Sequence, residues 1–209
     1  VTKPHKAIIL DYSYRNNFTD LDFENLCSLL VEVSYLFDNH LFIILDNIVF
    51  KQFPLAMHVA DEVEKNNLFI IDEWIWLTNQ AETKPYCQIF KSILWIGKDK
   101  NYIFNKDFLR VEHIWKDVEW GKREKNYHPL GKDPGNIWII EKSNKGTITE
   151  QLFIPFSQIL ATLIYSQVTI NGESFMIYSH KNIEISEITT LVLEKTGFEV
   201  VIKTKNTNN

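Results

Sequence analysis

The chain predicts a three-layer α/β domain divided by a basic insert, and three observations carry that reading. Short apolar runs alternate with amphipathic stretches of helical period near the start, and the same rhythm returns near the end. Between them, residues 98 to 145 hold 11 Lys and Arg against 8 Asp and Glu, whereas the remaining chain holds 11 against 19. A basic segment thus interrupts an acidic scaffold, and the boundaries that follow are 1–97, 98–150 and 151–203, with a polar tail at 204–209.

Ala7-Ile8-Ile9-Leu10 is an apolar run ending at Asp11, as expected of a buried strand with a polar tip. From Asp20 to Phe37, Leu21, Leu26, Leu29, Leu30, Val33 and Leu36 recur at three- and four-residue steps, predicting a helix capped near Thr19 or Asp20. Leu41 to Leu45 reads as a second buried strand. Pro54 opens another helical stretch through Met57, Val59, Ala60 and Val63. Leu68 to Leu77 predicts a strand, and Ile89 to Ile96 its hairpin partner or neighbour. The insert is rich in turn signals, with Asp133-Pro134-Gly135 lying between Trp120, Tyr127 and Trp138. Beyond it, Phe156, Ile159, Leu160, Leu163 and Ile164 predict a helix, Ser174 to Tyr178 a strand, Ile185 to Lys195 a helix stopped by Gly197, and Phe198 to Ile202 a last strand.

Composition excludes several chemistries. Only 7 of 209 residues are glycine, none before Gly97, and no two stand as G-x-G. A phosphate or dinucleotide cradle needs glycine where the backbone approaches its ligand, so neither GxGxxG nor GxxxxGK[ST] is present. The six histidines lack metal-ligand spacing and the two cysteines, Cys27 and Cys87, form no CxxC, so no metal site or disulfide framework is expected. The net charge of −5 argues against a uniformly basic nucleic-acid binder and leaves the local basic segment as the candidate surface. No run reaches 18 apolar residues and the first residues are polar, which predicts a cytoplasmic protein without a membrane span.

Two segments carry a family resemblance. Tyr102-Ile103-Phe104-Asn105-Lys106-Asp107-Phe108-Leu109-Arg110-Val111 and Gly131-Lys132-Asp133-Pro134-Gly135-Asn136-Ile137-Trp138 resemble the YxFNxDxxRV and GKxPGDVW segments of DNA amino-methyltransferases. Those enzymes methylate adenine N6 or cytosine N4 from S-adenosylmethionine, and the resemblance is to members whose catalytic motif precedes the cofactor motif. It spans roughly residues 6 to 203. It implies a methyltransferase-like (Rossmann-like) fold whose sheet is mixed because the family's sheet contains an antiparallel hairpin. It also implies that the basic insert is a target-recognition region.

The same resemblance assigns the site residues. The family's Asp-Pro-Pro-Tyr motif is matched by Asp11-Tyr12-Ser13-Tyr14, which keeps the acceptor Asp11 and the aromatic Tyr14. An exocyclic amino group is a poor nucleophile; the motif's side chain and a backbone carbonyl accept its hydrogens while the ring stacks on the extruded base. Tyr12 and Ser13 stand where prolines fix the carbonyl's direction, so that rigidity is missing. Ile154-Pro155-Phe156 stands where the family has a His-Pro-type segment. The cofactor strand of the family ends in Asp-Pro-Phe-x-Gly-x-Gly, but here Tyr178-Ser179-His180 run on without glycine, and Lys203 stands where an acidic residue accepts from the ribose.

The expectation is therefore a degenerate methyltransferase-like protein, a pseudoenzyme related to restriction-modification systems, with no cofactor. It binds double-stranded DNA, pairs with an active methyltransferase subunit or forms a homodimer. Lys122, Arg123, Lys125 and Lys132 are the candidate phosphate contacts, and Trp120, Tyr127 and Trp138 the candidate base contacts. Two alternatives stand beside it: an active S-adenosylmethionine-dependent DNA methyltransferase with an atypical cofactor loop, in which Tyr178, Ser179 and His180 line the cofactor, and a protein–protein interaction module on the same fold.

Overall fold

The computed structural model describes residues 5–12, 18–77, 90–100, 110, 128–133, 135–139, 174–179 and 199–204. Strand β1 (His5–Tyr12) leads into helix α1 (Asp20–Ser34), whose start is fixed by a reciprocal cap. The Thr19 hydroxyl accepts from the Asp22 amide, and the Asp22 carboxylate accepts from the Thr19 amide at 3.0 Å. The buried stripe of α1 is Leu26, Leu29, Leu30 and Val33. Each such side chain contributes about 1.5–3 kcal/mol by leaving water.

Helix α1 ends earlier than its periodicity predicts. Phe37 belongs to strand β2 (Phe37–Asp46), because Tyr35 and Leu36 turn the chain out of the helix, with the Leu36 amide donating to the Val33 carbonyl at 2.9 Å. The four-residue step from Val33 to Phe37 imitates a helical repeat, while both residues reach the same core from different elements. A short hairpin follows, β3 (Val49–Phe50) and β4 (Phe53–Pro54), then α2 (Leu55–Lys65), β5 (Phe69–Leu77), β6 (Phe90–Gly97), β7 (Ile137–Ile139), β8 (Ser174–Ser179) and β9 (Glu199–Thr204). The helices read from 156–164 and 185–195 lie outside the described residues.

The main sheet runs β7-β5-β6-β2-β1-β8-β9. β1 is parallel to both β2 and β8, β8 to β9 and β5 to β7, while β6 is antiparallel to β2 and β5. The sheet is thus mixed, with one reversed strand among those described. Helices α1 and α2 pack on the face carrying Ile8, Leu10, Tyr12, Leu41, Ile43, Leu45, Leu94 and Ile96. On the opposite face, the amino-terminal half of β2 contributes to an aromatic cluster: Phe42 stacks on Trp95, Trp74 lies 5.4 Å from Trp95, and Trp95 donates its indole N–H to buried His40 Nδ1 at 2.9 Å.

A chain without glycine before Gly97 still needs left-handed backbone. Lys51 (φ 45°) and Gln52 (φ 73°) make the two-residue hairpin turn, and Asn67 (φ 56°) follows α2. These are positions where glycine is the cheaper residue.

Candidate functional site

β1 and β8 are neighbours in the sheet, yet their following strands lie on opposite sides: β1 is followed through α1 by β2, and β8 by β9. The order reverses between them. In open α/β sheets this reversal opens a crevice beyond the carboxyl ends of the strands, where ligands bind. Asp11 stands at that point, level with Ser179 on β8 and Ile44 on β2, and Leu10 is level with Tyr178. The two chemical motifs read from the sequence are therefore brought together by strand pairing, although Tyr178 lies 166 positions after Tyr12 in the chain.

Alternation along β1 divides the motif between two faces. Asp11 is 1% exposed and lies on the face away from α1. Tyr12 lies on the α1 face, where it is buried in the core, contacts Phe18 edge-on and donates its hydroxyl to the Asp22 carbonyl at 2.9 Å. The residue standing in place of the first proline thus anchors helix α1 to the tip of β1. Ser13, Tyr14 and His180 lie outside the described residues.

Strand register also reveals residues that sequence reasoning passed over. Asp46, at the end of β2, lies on the Asp11 face one strand away and two positions further toward the carboxyl end. It pairs in register with Lys91 of β6, whose Nζ is 3.4 Å from Asp46 Oδ1, with side-chain exposures of 5% and 15%. The Lys91 ammonium also lies 5.5 Å from the Trp76 ring centroid, a cation–π contact from β5. Asp46 Oδ2 is buried without a hydrogen-bond partner among the described residues, an acceptor whose desolvation is uncompensated. Asp46, Lys91 and Trp76 come from three strands and their spacing carries no motif. The one legible signal was an acidic residue directly ending an apolar strand, the pattern that also marks Asp11.

The two segments that carry the resemblance meet each other. Arg110 donates from Nη1 to the Gly131 carbonyl at 3.1 Å, and Gly131 is buried with φ 111°. Gly135 (φ 71°) donates its amide to Asp133 Oδ1 at 3.0 Å, forming an Asx turn. The segment is then docked on β5: Ile75 N–H donates to the Asn136 carbonyl at 2.8 Å, and the Asn136 amide donates to the Glu73 carbonyl at 3.0 Å. Trp138 stands in β7, level with Trp76. Lys132 is exposed, while Trp120, Lys122, Arg123, Lys125 and Tyr127 lie outside the described residues.

Among the described residues no group of three or more His, Cys, Asp and Glu can hold a metal ion, and no helix is long and apolar enough to cross a membrane. No family model and no curated protein matches the chain. Solved structures do. PvuII DNA methyltransferase, cytosine-N4-specific, aligns at TM-score 0.60 and 10% identity over 98% of this chain and 77% of its own. The M1.HpyAVI–SAM complex aligns at 0.50 and 16% over 97% and 84%. TTHA0409 of Thermus thermophilus, assigned as a DNA modification methylase and complexed with S-adenosyl-L-methionine, aligns at 0.52 and 14% over 98% and 82%. At such identities the likeness establishes architecture, and the chain has the mixed α/β fold of these DNA methyltransferases.

Proposed function

We propose that this protein is a methyltransferase-fold DNA-binding protein that does not take up the methyl donor in the manner of its structural neighbours. It is a pseudoenzyme that pairs with an active methyltransferase or with itself. The observation that carries the reading is the junction of β1 and β8. Asp11 is level with Ser179, while the sequence beyond Ser179 is His180-Lys181-Asn182-Ile183-Glu184, without glycine. An acceptor residue stands at the tip of β1, while the sequence after β8 offers none of the glycines that a close backbone approach to the donor calls for.

In this reading the crevice receives a base drawn out of a duplex. Asp11 and Asp46 lie on one face and are both carboxylates, so each accepts from an exocyclic amino group but donates nothing when ionised. Lys91 holds Asp46 in place and offsets its charge. The basic residues Lys122, Arg123, Lys125 and Lys132 neutralise phosphates, and Trp120, Tyr127 and Trp138 lie in the same stretch of sequence as candidate stacking residues. A cytoplasmic setting is part of the same proposal.

The test is a gel-shift with a duplex of mixed sequence at about 50 mM and 200 mM salt. Binding driven by three to four phosphate contacts weakens by roughly a hundredfold between these conditions. The absence of binding at the lower salt, alone or with a methyltransferase encoded beside it, overturns the DNA reading. A second reading, active methyl transfer, is favoured by one feature: Asp11 stands at the switch point in a fold shared with structures solved in complex with the methyl donor.

A further inference from the structure

Helix α1 carries a second stripe that the core does not use. Opposite its buried stripe, Leu21, Glu24, Ser28, Val31 and the C-cap Tyr35 are all exposed and follow one another at steps of three, four, three and four residues. That is the spacing of a seam along which a second helix packs. Among the described residues eight large apolar side chains are exposed, and three of them, Leu21, Val31 and Tyr35, lie on this seam. Single exposed apolar residues are ordinary, whereas several aligned on one rigid element mark a contact surface. Ser28, in the middle of the stripe, is small enough to let a partner helix come close. Its hydroxyl already donates to the Glu24 carbonyl at 2.8 Å and asks nothing of the partner.

The charges beside the seam select its occupant. α1 carries Asp20, Asp22, Glu24 and Glu32 and no Lys or Arg. Asp22 is engaged in the cap, and Asp20 is paired with Lys51 of the β3–β4 hairpin at 2.6 Å. Glu24, on the seam, and Glu32, three residues before Tyr35, are exposed and in no ion pair among the described residues. A second copy brings these carboxylates against their own kind and a DNA strand brings phosphates, so both are opposed by like charge. A helix with apolar residues at the same spacing and Lys or Arg beside them covers the apolar stripe and supplies opposite charge to Glu24 and Glu32.

We propose that the outer face of α1 docks a cationic amphipathic helix of a protein partner. Leu21, Val31 and Tyr35 supply the apolar contacts, and Glu24 and Glu32 the charges that choose it. The partner is the one that the pairing half of the reading above requires, so the site rests on that reading.

The experiment titrates a fluorescent peptide of about 21 residues, three heptads with Leu at the seam positions and Lys beside them, with the full chain. A matched peptide carries Glu in place of every Lys. The cationic peptide binds at least tenfold more tightly. Val31→Gln with Tyr35→Gln, which leaves the net charge unchanged, weakens its binding about tenfold, as truncation of apolar anchors does. Glu24→Lys weakens it more than Glu64→Lys, the same change of charge at an exposed position of α2. Glu24→Lys is read alone where the double substitution does not fold. Equal binding of the two peptides overturns the proposal. Cationic binding that Glu24→Lys and Glu64→Lys weaken alike also overturns it, since that reports the net charge of −5 and no site. So does a concentration-dependent dimer of the chain alone, seen by sedimentation velocity and abolished by Tyr35→Gln, because the occupant is then a second copy. Pairing has its own readout, association with a methyltransferase encoded beside this chain. Peptide binding at the seam without that association keeps the site and overturns the pairing, and association that survives the seam substitutions does the reverse.

Discussion

The two faces of the sheet at β1 and β2 are built on different terms. Among the described residues, the face beneath α1 and α2 is hydrocarbon along β1 and β2, from Ile8 and Leu41 to Leu10, Ile43 and Leu45, and near the strand tips it carries the Tyr12 hydroxyl, satisfied by the Asp22 carbonyl, and the buried Ser92 of β6, level with Leu45. The other face changes character along the strands. Its amino-terminal end is aromatic, with His40, Phe42 and Trp95, and its carboxyl end carries Asp11, Asp46 and Lys91, all nearly buried. Burying charge near a strand tip brings no gain in packing, because desolvation offsets much of the attraction between the partners. The comparison teaches that the α1 face holds the fold together, while the carboxyl end of the opposite face bears a cost that packing does not repay and that the proposed function would explain.

Substitutions that separate the faces sharpen this contrast. The largest effect is expected at the hydrocarbon face: Ile43→Ala empties a fully buried position and lowers stability by about 3–4 kcal/mol, read from urea unfolding. Duplex affinity of the folded fraction is unchanged. Next is Lys91→Met, which leaves the Asp46 carboxylate buried without its cation. It costs about 3 kcal/mol, and adding Asp46→Asn in the same chain recovers part of the loss. A recovery of nothing means that the pair is not coupled, and the contrast between the faces weakens.

The smallest effect is a pH dependence at Cys27, on α1. Burial, with Glu62 nearby, pushes its thiol up from the ordinary value of 9.0 to about 11. A thiol harder to ionise in the folded chain contributes stability that is complete below pH 9 and lost as pH rises through 9 toward 11. Slow alkylation at neutral pH, accelerating across that interval, is the accompanying sign. Rapid alkylation of Cys27 itself at neutral pH, located by peptide mapping to distinguish it from Cys87, contradicts this placement.

Much of the sheet was legible because buried parallel strands read as uninterrupted apolar runs: 7–10, 41–45 and 174–178 each lie within an observed strand. The hairpin of β3 and β4 was not, since its turn uses Lys51 and Gln52 at positive φ in place of the Asn-Gly or Gly pairs that announce such turns. The end of α1 was misplaced for a different reason, as Phe37 continues a helical spacing while entering the core from a strand. Of the site, Asp11 was visible as the polar tip of an apolar run. Asp46, Lys91 and Trp76 were not visible as a group, because only strand pairing joins them. The meeting of Arg110 with Gly131 gives the two family-like segments a common physical basis that their spacing alone does not supply.

The proposed function turns on one ligand. The segment that follows Ser179 offers no glycine where a methyl donor's backbone contacts lie in the family this chain resembles, and Lys203 stands beside Tyr178 at the neighbouring tip. Calorimetric titration of the full chain with S-adenosylmethionine is the most direct test. The account predicts no binding heat up to about millimolar ligand, a concentration at which even an interaction of about −4 kcal/mol is half-saturated. Saturable binding in the micromolar range, lost on substitution of Asp11 or Ser179, contradicts it and restores the chain to the active methyltransferases.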